Sequence, residues 1–80
     1  MTENQKKLIL CFSSTLGIAE DKVTDDLAYQ SISEWDSTAH MALVAEIEAD
    51  FDIMLDTNDI IGMSSVAVAR EILRKKEVEI

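Results

Sequence analysis

The sequence predicts an all-α domain, and three observations carry that expectation. Its 80 residues include no proline and only two glycines, Gly17 and Gly62, so the punctuation that β-hairpins need is missing. Ala, Leu, Glu and Lys, all strong helix formers, are plentiful. Apolar side chains recur at helical spacing in three stretches that begin or end at capping residues. The expected architecture is a small four-helix bundle, three principal helices plus one short helix, in a single domain over 1–80 with a long loop between helices one and two.

The first helix covers about residues 3 to 16, with Leu8, Ile9, Phe12 and Leu16 on one arc and Gly17 as a left-handed C-cap. Residues 18 to 36 show no sustained helical period, yet Ile18, Val23, Leu27, Tyr29 and Ile32 recur as apolar anchors, which reads as a long, tethered loop. Long loops without their own secondary structure tend to have a function, and this one exits through Glu34-Trp35-Asp36-Ser37. Asp36 is a good N-cap, and Met41, Leu43, Val44, Ile47 and Phe51 lie on one side of a helix running to about residue 51. Glu46 and Asp50 are expected to point the other way, with Glu48 at the margin. A short turn of helix follows at Thr57 to Ile61. Ser64 or Ser65 then caps a last helix with Val66, Ala69, Ile72 and Leu73 inward, and Arg70, Arg74, Lys75 and Lys76 complement its C-terminal dipole. The sequence contains no internal repeat or low-complexity tract.

Seven Lys and Arg against 16 Asp and Glu leave a net charge of −9. With 48% hydrophobic residues and a mean hydropathy of +0.05, that charge belongs on a folded surface. It argues against binding to nucleic acid or anionic membrane, because phosphates repel such a surface and no basic stripe is present to release counterions. Basic protein surfaces are the expected partners. A radius of gyration of about 12 Å and a thin core leave little room for a deep, water-excluding active site. Cys11 is the one cysteine, so an intramolecular disulfide is impossible; it reads as a small buried hydrophobe in a reducing, cytoplasmic setting. The longest apolar runs, Leu8 to Phe12 and Met41 to Ala45, are five residues each, far short of a membrane span, and no secretory signal is visible.

Candidate chemistry is sparse. His40, the one imidazole, stands three residues after Ser37, which on a helix makes them neighbours and raises a nucleophile–base pair. His40 also falls within the apolar arc, which favours a packed or edge role, and hydrolysis is discounted. Asp50, Asp52, Asp56, Asn58 and Asp59 are reminiscent of a calcium loop, but the register fails. Counting from Asp50, Leu55 stands where the turn needs Gly and Ile61 where the bidentate Glu belongs. Neither glycine belongs to a phosphate loop, and a lone Cys and a lone His cannot build a zinc site. Between Lys22 and Arg70 there are ten carboxylates and no Lys or Arg, a pattern that gives one face a strong negative field and also suits an ordinary solvated surface. Ser37, in the first turn of the second helix, occupies a position where the helix dipole favours an attached anion.

The chain resembles the acyl carrier protein family along nearly its whole length. The resemblance is carried by Leu16-Gly17-Ile18, Val23-Thr24, Asp36-Ser37, the Met41/Leu43/Val44/Ile47 spacing, Glu48, Phe51-Asp52, Leu55, and Met63 with Val66. It implies that Ser37, beside Asp36, covalently carries 4′-phosphopantetheine, on whose thiol acyl, ketide or aminoacyl groups travel as thioesters. The protein would then be a monomeric, non-enzymatic carrier in fatty acid, polyketide or other specialised biosynthesis and lipid metabolism. Its implied partners are a phosphopantetheinyl transferase and acyl-loading and acyl-transferring enzymes with basic patches, docking on Asp36, Thr38, Met41 and Glu48. Leu43, Val44, Ile47, Phe51, Ile60, Met63, Val66 and Ile72 are implied to line an acyl-chain space between helices two, three and four, although a thin core has its own use for them.

Three features depart from the family pattern. Thr38 stands where the Asp-Ser-Leu motif has Leu; Trp35 replaces a small residue; Ala39, Ala42 and Ala49 occupy positions often acidic in carriers of fatty acid synthesis. They point to a specialised pathway. Trp35 is expected to act as a hydrophobic staple near His40 or Met41. The alternative function is an unmodified acidic helical adaptor for a basic protein partner, with Thr38 marking lost recognition by the transferase. Because clustered carboxylates repel one another at low ionic strength, added salt or magnesium is expected to raise the melting temperature. A thermal melt indifferent to both contradicts a clustered negative surface.

Overall fold

Each principal helix begins on a side-chain cap. In the computed structural model, which describes residues 2–80, α1 (Glu3–Leu16) starts from Thr2, whose hydroxyl accepts from the Gln5 N–H while Gln5 Oε1 accepts from the Thr2 N–H. It stops at Gly17, whose φ of 68° is the left-handed conformation expected there. Asp36 caps α2 (Ser37–Phe51), Asp56 caps α3 (Thr57–Gly62) in a capping box with Asp59, and Ser65 caps α4 (Val66–Lys75). The four helices make up most of a 61% helical chain with no strand among the described residues. No helix among them is long and apolar enough to cross a membrane.

The connection from α1 to α2 departs from the expected plain loop in two ways. A single 3₁₀ turn forms at Glu20–Lys22, and Ala28 makes an isolated antiparallel bridge with Ser65. Around that bridge the Tyr29 N–H donates to the Ser64 carbonyl at 2.9 Å, the Val66 N–H to Leu27 at 3.0 Å and the Ala67 N–H to Asp25 at 3.2 Å. The Val68 N–H donates to Ser65 Oγ. The loop thus satisfies two of the amide groups that any helix start leaves open, and the serine satisfies a third.

Leu8, Cys11, Phe12 and Leu16 of α1 pack with Leu43, Val44 and Ile47 of α2 and Val66, Ala69, Ile72 and Leu73 of α4. Trp35 enters this core from the loop and is 0% exposed. Its ring meets Phe12 edge-on at 5.2 Å between centroids, meets Tyr29 at 6.2 Å and stacks on His40 at 6.0 Å. Trp35 therefore does more than staple the entry to α2, as the sequence suggested: it is the largest fully buried side chain, and Met41, its other expected neighbour, is 55% exposed. The Cα radius of gyration is 11.2 Å.

In a core this thin, Phe12 packs edge-on against Trp35 and already has its own place, so it does not fill the space that Trp35 would leave. Trp35→Ala is expected to lower stability by about 3–5 kcal/mol, the usual cost of truncating a buried Trp. Urea denaturation followed by circular dichroism measures this, and a loss below about 1 kcal/mol would contradict the central placement.

Candidate functional site

The exit of the loop is held from behind and open in front. The Gln30 N–H donates to the Trp35 carbonyl at 3.0 Å, the Trp35 N–H donates to Ile32 at 3.2 Å, and the Trp35 side chain is sealed in the core. The next three residues, Asp36, Ser37 and Thr38, are all exposed. Asp36 Oδ1 accepts from the Ala39 N–H at 2.8 Å, and the Asp36 carbonyl accepts the first helical bond from the His40 N–H at 2.8 Å. Helix geometry leaves the N–H groups of Ser37 and Thr38 without an intrahelical acceptor, so they stand at the positive end of the α2 dipole beside the Ser37 hydroxyl.

His40 turns away from Ser37. Its Nδ1 accepts from the Trp35 indole Nε1–H at 3.0 Å, and its Nε2 lies 2.8 Å from the Ile60 carbonyl. Both ring nitrogens are taken, so the imidazole has no lone pair to offer the Ser37 hydroxyl as a base.

Among the expected docking residues, Asp36, Thr38 and Met41 are exposed, and Glu48 lies at the margin of its helix, where the apolar period put it. Glu48 is half-buried, and its Oε2 accepts from the Leu55 N–H at 2.9 Å, fastening the α2–α3 connection. Asp50 is exposed, as expected, yet its carboxylate reaches back to the first helix. Its Oδ2 accepts from the Cys11 thiol at 2.9 Å and its carbonyl accepts from Lys7 Nζ at 3.1 Å, along the α1–α2 seam. Burial, and after it the neighbouring Asp50 carboxylate, push the Cys11 thiol well above its ordinary pKa, as suits an inert core residue.

Most of the eight residues implied for an acyl-chain space pack in the common core. Leu43, Val44, Ile47, Met63, Val66 and Ile72 are buried in the common core. Phe51 and Ile60 are partly buried against it, with Lys7 Nζ 5.1 Å above the Phe51 ring. A shallow groove of about 280 Å³ lies beside α2, lined by Tyr29, His40, Ile60, Ile61, Met63 and Ser64. Two of the eight, Ile60 and Met63, belong to it. Ile61, 77% exposed on α3, was not singled out by the sequence; the signal was present, because one turn of helix cannot bury both members of an Ile-Ile pair.

Part of the negative charge is met within the chain. Arg70 pairs with Asp25 at 2.6 Å and Lys76 with Asp59 at 3.1 Å, so two cations expected to serve the α4 dipole reach instead to the loop and to α3. The Arg70 guanidinium, hydrogen-bonded to Asp25, holds that carboxyl below the usual carboxylate range. The Lys76 ammonium, hydrogen-bonded to Asp59, does the same there. Asp36 and Asp56 are engaged as caps.

No protein-family model matches the chain, and neither a curated protein nor a solved structure does. The ion pairs set an acid limit on the fold. A depressed carboxyl stabilises the native state above its unfolded pKa, and that contribution disappears as pH falls through the lower folded value. Stability is therefore expected to fall below about pH 4. In Asp25→Asn the fall should be shallower, as read from urea midpoints across that range; an unchanged slope contradicts the Arg70 pairing.

Proposed function

We propose that the protein is a carrier, with 4′-phosphopantetheine attached through a phosphodiester to the Ser37 hydroxyl. The observation that carries this reading is the exposure of Ser37 as the first residue of a helix that is entered from Trp35, two residues earlier and buried in the core. The residues present fit the group. The free N–H groups of Ser37 and Thr38 suit a phosphate anion, and the nearest carboxylate, Asp36, is drawn onto the Ala39 N–H. When bound, the arm's thiol holds an acyl, ketide or aminoacyl group as an activated thioester.

The chain's own residues present and support this arm; none of them performs the transfer. Ser37 offers its oxygen to a phosphopantetheinyl transferase, which supplies the base that His40 cannot. Asp36, Thr38 and Met41 form an exposed flank of acidic, polar and apolar character next to Ser37, suited to brief contact with basic patches on acyl-loading and acyl-transferring enzymes. Such a carrier works as a cytoplasmic monomer in fatty acid, polyketide or another specialised biosynthesis. The competing reading, an unmodified acidic adaptor, draws on the same flank and on the polar Thr38 beside Ser37.

Coexpression with a broad-specificity phosphopantetheinyl transferase separates the two by intact mass. One phosphopantetheine increment on the wild type and none on Ser37→Ala is the expected result. A chain that gains no increment with any transferase, while its circular dichroism shows the native fold, is an adaptor and not a carrier.

A further inference from the structure

The Trp35–His40–Ile60 chain permits one protonation state only. The indole Nε1–H can only donate, so the His40 Nδ1 that faces it at 3.0 Å must carry a lone pair. The Ile60 carbonyl can only accept, so the His40 Nε2 at 2.8 Å must carry the proton. The two neighbours together specify a neutral imidazole in its Nε2–H tautomer, connecting the loop exit, α2 and α3. Trp35 is 0% exposed, so its N–H has no water to turn to if Nδ1 ceases to accept.

We propose that His40 is a proton-operated latch: the neutral imidazole ties Trp35 to α3, and uptake of a proton at Nδ1 releases Trp35 and the loop exit that carries Ser37. In that step the Nδ1 lone pair takes a proton from solvent. The indole keeps its own proton and loses its acceptor, and two N–H groups then face each other across the former bond. The Nε2–H bond to Ile60 persists, so the break is directed at the loop and not at α3.

The elements packed on the imidazole present few competing groups. From the loop, the Tyr29 ring lies 5.1 Å away, tilted by 56°. Glu34 precedes Trp35 and accepts from Ser33 Oγ. At the start of α2, one turn before His40, Asp36 is bonded to the Ala39 N–H, and on α3 Asp59, next to Ile60, is paired with Lys76. None of these carboxylates hydrogen-bonds the imidazole. His40 also lines the groove of Tyr29, Ile60, Ile61, Met63 and Ser64, so a change at the latch reaches that surface. The inference concerns packing alone and holds whether or not Ser37 is modified.

The chain has one Trp and one His, so both partners can be read without labels at other sites. Nitrogen-15 spectra of the imidazole at about pH 7.5 should show the Nε2–H tautomer; the Nδ1–H tautomer or an imidazolium overturns the proposal. On lowering the pH until the imidazole nitrogen shifts report the imidazolium, Trp35 emission should shift in the same one-proton transition. Exchange of the indole proton should become at least roughly tenfold faster than its intrinsic pH dependence allows. Helical circular dichroism should stay constant throughout. His40→Asn, which places a non-titrating acceptor near the position of Nδ1, should give a flat emission profile. A flat wild-type profile, a transition that survives in His40→Asn, or helix loss in step with the emission change overturns the latch. If His40→Asn does not fold, the wild-type imidazole nitrogen shifts must follow the same curve as the emission, and two separate curves overturn it.

Discussion

The structure depends on the burial of a single indole in a core too small to do without it. In a chain of this length few side chains are fully enclosed, and Trp35 is the largest of them. Its placement serves two ends at once. The ring supplies apolar contact to Phe12, while its N–H obliges a polar partner to follow it inside, and His40 is that partner. Because Trp35 is adjacent to the α2 cap, the same burial fixes where α2 begins and leaves Ser37 facing solvent. Packing energy in the interior is thereby converted into the position of one hydroxyl on the surface.

Acidity plays a second, less visible part. A run of carboxylates unrelieved by Lys or Arg reads as an outward field, and part of it is. Yet Asp25 and Asp59 draw the cations of α4 back across the fold, Asp36 and Asp56 close helix starts, and Glu48 holds the Leu55 amide. These bonds tie short elements that have little apolar surface of their own, α3 above all. The net charge therefore overstates how much of the surface is free to engage a partner.

The helices were legible because their signals are local and repeated: an apolar period, a capping residue before it, Gly17 after it. The candidate site was legible to the extent that it is local too, since Asp36 and Ser37 announce a helix start by type and order. What escaped was set by contacts distant in sequence. A three-residue 3₁₀ turn has no period to detect, and a bridge between Ala28 and Ser65 is made by main-chain atoms that every residue shares. The depth of Trp35, the hydrogen bond from Cys11 to Asp50 and the recruitment of Glu48 by Leu55 each require knowing which element lies opposite. Apolar residues on α2 and α4 suited a cargo space or a core equally well by pattern, and the folded volume gave most of them to the core.

The start of α4 is completed by carbonyls of Leu27 and Asp25 and not by their side chains. An attachment written in main-chain atoms is indifferent to which residues occupy those positions, provided the chain keeps its path. The joint itself thus uses atoms that no substitution removes, while Leu27 in the core and Asp25 on Arg70 keep the chain on the path that brings those atoms to it.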